Sequence, residues 1–402
     1  MKSREIKTTW RLVTPLFGGG AQPVEGDSAL RVPALRGALR FWLRAVLWGR
    51  LGNVGEVHKV EEELFGSADK GQGLVLLRLK VLKEENRRRY TVEEAKRQWG
   101  VGKGKGYMTY GLLQKEGPRP WVEPGARYEL GLLCKPKMTE EQRQWLEMAL
   151  RAFALFGNVG AKSRKGFGSL ALEAAEGLTW QLPQTLAAWQ VEMTKLLDEI
   201  GVREGLPPYS AFSGRSRLVL AQPATNDAWS VLDHVGKELI RFRSWGRNGE
   251  ILFGEPAKRL FPCDHNEVLE IGQGQRNPEH MPKRAIFGLP HNYFFSGSKV
   301  KVNVNAYGDG KDQRRSSPLF FKALPLANGK YALAALLLAA EFLPSSMQVR
   351  FSGAGRGSVA ADNDYRPIEQ FLSRLDGPCW DSAKGWRSNQ KVDDEEVRAT
   401  WQ

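Results

Sequence analysis

Cysteine is scarce in this chain: three in 402 residues, Cys134, Cys263 and Cys379. They lie far apart, which excludes a disulfide-stapled secreted fold and fits reduced thiols in the cytoplasm. Histidine is nearly as rare. His58, His234, His265, His280 and His291 show no pairing at metal-ligand spacing. Cys263-Asp-His265 sets three potential ligands side by side, and consecutive residues do not converge on one ion, so neither metal nor cofactor is expected. There is no Gly-x-Ser-x-Gly elbow and no HExxH pair. No stretch reaches the roughly 20 apolar residues that a membrane span needs. The start, Met1 to Lys7, has no apolar run and is not a secretory signal. Acid is in the minority too: 45 carboxylates face 59 lysines and arginines, for a formal charge of +14.

The excess charge is clustered. Its densest point is Gly157-Asn-Val-Gly-Ala-Lys-Ser-Arg-Lys-Gly-Phe-Gly168, four glycines and three cations between an amphipathic helix and a short apolar strand. Glycine allows positive φ and close approach of main-chain N–H groups, while Lys162, Arg164 and Lys165 supply charge. Gly160, Ser163, Gly166 and Gly168 complete a cradle suited to a polyanion. In a protein with pI ≈ 9.6 the polyanion to expect is nucleic acid. The loop is not a Walker motif, because Ala161 stands where glycine is required and the helix precedes the loop. Thirteen tryptophans are enough to fill a core and still stack bases.

The first 175 residues predict β-α-β-β-α-β. Residues 6–12 alternate as a strand. A glycine-rich connection, Thr14 to Gly20, leads to Pro33, which opens a helix to about Trp48. Leu74–Leu82 and Arg127–Cys134 are strands separated by a polar insertion, 83–125, with a short helix near 92–99 and a flexible run, Gly100–Gly106. Thr139-Glu-Glu-Gln142 is a capping box for a second long helix, and Phe167–Leu172 is the last strand. A helix over 184–200 and Gly205-Leu-Pro-Pro208 mark a boundary. Beyond it come a strand (217–222), a helix (Asp227–Trp245) and a long insertion (246–285). Strands near 300–304 and 319–326 follow, then a run over 331–338 that fits a helix as well as a strand. A helix over 365–375 precedes a loose polar tail. The fold class is therefore α+β: two ferredoxin-like, RNA-recognition-like domains at 1–180 and 211–402, joined through 181–210 and carrying loop insertions.

Arg31, Arg36, Arg40 and Arg44 line the first helix and its start. In this topology that helix N-terminus comes near the loop after the second helix, so Arg31 and Arg36 share a surface with Lys162 and Arg164. Arg314 and Arg315, before Ser-Ser-Pro and an apolar strand, form a phosphate clamp in the second half. Two further readings stay open. One is a metal-independent endoribonuclease with His291 or His58 as base; the other is an assembly protein whose basic patches face an acidic neighbour.

Thr14-Pro-Leu-Phe-Gly-Gly-Gly20, Val32-Pro-Ala-Leu-Arg-Gly-Ala-Leu-Arg-Phe-Trp42, Gly160–Gly168 and Arg314–Lys322 together resemble the RAMP superfamily, and within it a subunit of the Cmr (type III-B CRISPR) effector complex. The resemblance implies two ferredoxin-like domains and a non-catalytic, RNA-binding role in antiviral defence. Its implied partners are guide crRNA near its 3′ end, target RNA and other Cmr subunits. It makes Arg36, Arg40, Gly160, Lys162, Ser163, Arg164, Lys165, Gly166 and Gly168 RNA contacts.

Overall fold

The computed structural model describes residues 5–19, 29–83, 85–100, 103–114, 117–222, 225–245 and 249–400. The extreme N-terminus, Gly20 of the glycine-rich connection, Val101 and Gly102 of the glycine run, and positions 246–248 of the long insertion lie outside the described residues. The first half runs β1 (Glu5–Leu12), α1 (Val32–Leu51), α2 (Val54–Phe65), β2 (Val75–Lys83), α3 (Val92–Trp99), α4 (Gly104–Met108), β3 (Arg127–Cys134), α5 (Glu140–Phe156) and β4 (Leu170–Glu176). Its sheet is antiparallel in the order β2-β3-β1-β4. β1 alternates strictly between half-exposed and buried residues, as a strand with one face on the core must. Pro33 stands in the first turn of α1 and Gly52 closes it at φ 59°. The capping box of α5 is formed, with Thr139 and Gln142 each accepting from the other's main-chain N–H.

α6 (Leu186–Ile200) leads to β5 (Arg217–Ala221) and α7 (Ala228–Arg243), then α8 (Pro262–Gly272), β6 (His291–Phe295), β7 (Val300–Gly308), β8 (Leu319–Pro325), β9 (Tyr331–Leu337), β10 (Gln348–Ser352), α9 (Arg366–Ser373), β11 (Pro378–Asp381), β12 (Gly385–Ser388) and α10 (Asp394–Thr400). The second sheet has the order β8-β9-β5-β11-β12, so its first four strands repeat the connectivity of the first sheet. β6, β7 and β10 build a separate antiparallel sheet from the insertions.

The layers explain the sequence. Leu218, Leu220, Phe320, Leu336 and Trp380 pack with α1, α5 and α6, while Val219, Ala221, Phe321 and Leu337 on the opposite face pack with α7 and α9. The order is sheet, helices, sheet, helices. β8 is buried at every position and β9 at all but the first, which is why 331–338 has no alternation to distinguish strand from helix.

α2 falls in a stretch that carried no expectation; Val57, Val60 and Leu64 at helical spacing bury one face of it and Asn53 caps it. Three expectations need correction. The described part of Gly100–Gly106 is not all open loop. Residues from Gly104 form α4, packed so closely on α7 that a Cβ on Gly104 would stand 2.0 Å from the Asp233 carbonyl oxygen. The tail is not loose either, since β11 pairs with β5 inside the second sheet. The last strand of the first half begins at Leu170, after the loop.

Candidate nucleic-acid interface

The loop after α5 is held from two sides. Against the first half, the Ala161 N–H donates to the Phe17 carbonyl (2.8 Å) and the Gly168 N–H to that of Pro15 (2.9 Å). Against the second half, the Phe321 N–H donates to the Arg164 carbonyl (3.0 Å), and Asn158 Nδ2 bonds both Ser163 and Phe321 carbonyls at 2.7 Å. Lys322, 1% exposed, drives its ammonium between the layers to the Gly157 and Leu170 carbonyls (2.5 and 2.9 Å). Desolvation holds its pKa down to about 7.

This clamping leaves Gly160, Ala161, Ser163 and Arg164 on one wall of a cavity of about 580 Å³. Arg31, Pro33, Ala34 and Gly37 of the α1 start form the facing wall, Arg119 closes one side, and Phe41 and Phe320 lie at the back. Among the described residues no carboxylate lines it. The helix start has neither a side-chain cap nor an acid in its first turn, and a Cβ on Gly37 would meet nothing. Those are the features of an anion site at a helix N-terminus. The loop takes φ 81° at Gly160 and φ 61° at Lys162, the second rare for a residue with a Cβ. Among the described residues no protein group accepts from the main-chain N–H of Gly160, Lys162, Ser163 or Arg164.

Lys162, Arg119 and Arg314 form a second cationic group beside it. The Lys162 pKa is lowered by desolvation and by the charges of Arg314 and Arg119. Burial likewise lowers that of Arg119, whose Nη2 donates to the Gly18 carbonyl at 2.9 Å. Arg164 lies over the Phe320 ring (4.6 Å) and bonds the Ser317 carbonyl; burial pushes its pKa down to about 10.

The expected site residues therefore divide. Arg31, Gly160, Ser163 and Arg164 line the cavity, and Lys162 and Arg314 stand with Arg119 at its side, while Arg36 is not in the lining and has its Nε buried without a partner among the described residues. Arg40 and Arg44 converge instead on the buried carboxylate of Glu61. Lys165 turns to the Tyr107 carbonyl (3.0 Å), and burial pushes its pKa down to about 7. Gly166 and Gly168 serve packing, since a Cβ would stand 2.6 Å from Leu232 and 2.0 Å from the Val159 carbonyl oxygen. Arg315 pairs main chain to main chain with Leu289. Arg119 was missed; its only signal was Pro118-Arg-Pro120, a stiff segment inside an insertion. His291 has an Nδ1 sealed from solvent without a partner, and burial beside Arg243 and Arg284 holds its pKa well below the usual range. His58 faces Glu62 at 3.5 Å on exposed α2. Among the described residues no group of three His, Cys, Asp or Glu is placed to hold a metal, and no helix is long and apolar enough to cross a membrane.

The class comes first: residues 9–171, which hold the two middle strands of the first half, both long helices and the loop, match the RAMP superfamily. The resemblance read from the motifs is thereby shown. More narrowly, the chain is similar to CRISPR system Cmr subunit Cmr1-1 of Pyrococcus furiosus, 25% identical over 307 residues, covering 75% of this chain and 78% of that protein. The crystal structure of Cmr1 from Pyrococcus furiosus in its apo form has the same fold, with TM-score 0.56 at 20% identity over 92% of this chain and 97% of that one. A chain in the cryo-EM structure of the Type III-B Cmr-beta, bound to cognate target RNA and AMPPnP, matches over 92% and 98% with TM-score 0.50 at 12% identity.

Proposed function

We propose that this chain is the Cmr1-type subunit of a type III-B CRISPR ribonucleoprotein and that it holds RNA without cutting it. Its two halves are two ferredoxin-like domains, 1–180 and 211–402, joined by 181–210, and they act as one platform. The observation that carries the reading is the cavity between the start of α1 and the loop, which has Arg31, Arg119 and Arg164 in its lining and no carboxylate among the described residues. Unpaired main-chain amides and arginines together suit a phosphodiester, which asks for donors and gives no base identity. Arg36, Lys162, Ser163, Gly160 and Arg314 extend the contact, and sequence is read by pairing between guide and target strands. Arg40, Arg44, Lys165, Arg315, Gly166 and Gly168 support this surface from behind. The partners are guide crRNA, target RNA and neighbouring Cmr subunits, and the setting is the cytoplasm. A nuclease built on His291 is disfavoured, because its Nδ1 is cut off from solvent without a partner and burial beside Arg243 and Arg284 holds its pKa well below the usual range.

The test is ultraviolet crosslinking within the assembled particle, with guide and target strands labelled separately. Crosslinked peptides should contain residues 31–37, 119 or 160–164, on one strand or both. Crosslinks confined to other surfaces, or metal-independent cleavage of RNA by the purified chain, would overturn the proposal.

A further inference from the structure

A second, larger cavity of about 710 Å³ opens on the far side of Lys162, between α4 and α7. Trp99, Tyr107, Tyr110, Ile240 and Leu252 provide its rings and apolar surface; Lys103, Thr109, Ser244 and Glu250 are its polar side chains. Tyr110 is 73% exposed, a large ring left in water at the wall. The cavity adjoins the cationic loop directly. A Cβ on Gly111, which lines it, would lie 3.7 Å from Lys162 Nζ. The ring of Tyr107, another lining residue, has Lys165 Nζ 4.7 Å from its centroid.

We propose that this cavity is a nucleobase pocket, taking one unstacked base of the RNA strand whose phosphate sits on Lys162. The proposal rests on the RNA reading above and adds a subsite to it. A base offers two π-faces and is bound by aromatic rings whatever its identity. The volume is ample for a single nucleoside, and its partner is selected by charge, with Lys103 in the lining and Lys162 beside Gly111 against one carboxylate among the described residues, Glu250. The walls are also tied to one another. The main chains of Gly104 and Gly236 touch, and the Lys105 N–H donates to Asp233 Oδ1 at 2.8 Å. The capping box of α3, Thr91 with Glu94, anchors the helix that carries Trp99. A preformed cavity loses little on binding.

The experiment uses the full chain and a fluorescent single-stranded RNA carrying 4-thiouridine. Photocrosslinking followed by mass spectrometry should place a thiouridine on Tyr107 or Tyr110, and Tyr110→Ala should abolish that crosslink while weakening binding roughly tenfold. Tyr110→Phe should keep both, since stacking needs the ring and not the hydroxyl. Lys162→Ala separates the two readings. If it weakens binding while Tyr110→Ala changes neither affinity nor crosslink, the pocket proposal falls and the RNA reading stands. If the unmodified chain binds no RNA, the RNA reading fails first. RNA affinity unchanged by Tyr110→Ala, with loss of association with the other Cmr subunits, would assign the cavity to a protein neighbour and overturn the proposal.

Discussion

Lys322 carries an ammonium into the layer between the two halves, where its partners are two carbonyl oxygens. With its pKa held at about 7 against an ordinary 10.5, the unfolded chain binds a proton through that window that the folded chain does not. Stability therefore rises with pH from about 7 toward 10.5 and gains nothing below, and Lys165 acts in the same direction. Lys322→Met lacks its share of that rise. In denaturant melts, the advantage of the parent over the variant should be larger at pH 9 than at pH 7; an equal advantage at both would contradict the assignment. Lys162 provides a cleaner separation of stability from function. At φ 61° a side chain costs about 1 kcal/mol or more. Lys162→Gly should leave the melting temperature unchanged or raised while lowering RNA affinity, and a drop in both would mean that the side chain is structural. The three cations of the loop were legible as charge, but not their division of labour. Nothing local shows that Lys162 turns toward Arg119 and Arg314 while Lys165 points at Tyr107, because that depends on α4 docking from an insertion.

At the level of elements, what could be read depended on how many faces an element buries. β1 buries one face and alternation gave it away; α5 is buried all round in its last turns, and its capping box marked its start. β9 buries both, so its composition is uniform. α4 defied propensity altogether: Gly104 and Gly106 are poor helix formers, and packing against α7 overrides them. Gly104→Val tests this. It forces the two helices apart and should cost about 1–3 kcal/mol in chemical denaturation; a neutral result would mean that α4 is not seated on α7. β11 was missed because it is four residues long with no alternation to read, and only its pairing with β5 makes it a strand.

For the whole molecule, the repeated connectivity of the two sheets sets the loop of the first half onto β8 of the second, so the cationic cavity lies where the halves meet. The motif order made the first half readable, while the insertions that supply Arg119 and the base pocket follow no general pattern. The central claim is that the cavity rim grips a phosphate backbone, and the salt dependence of RNA affinity measures that most directly. Each lost phosphate contact on a single strand lowers the slope of log affinity against log salt by about 0.7. The combined replacement of Arg119, Lys162 and Arg314 by alanine should reduce the slope by about 2, equally for RNAs of unrelated sequence. Identical slopes for parent and variant would contradict the account.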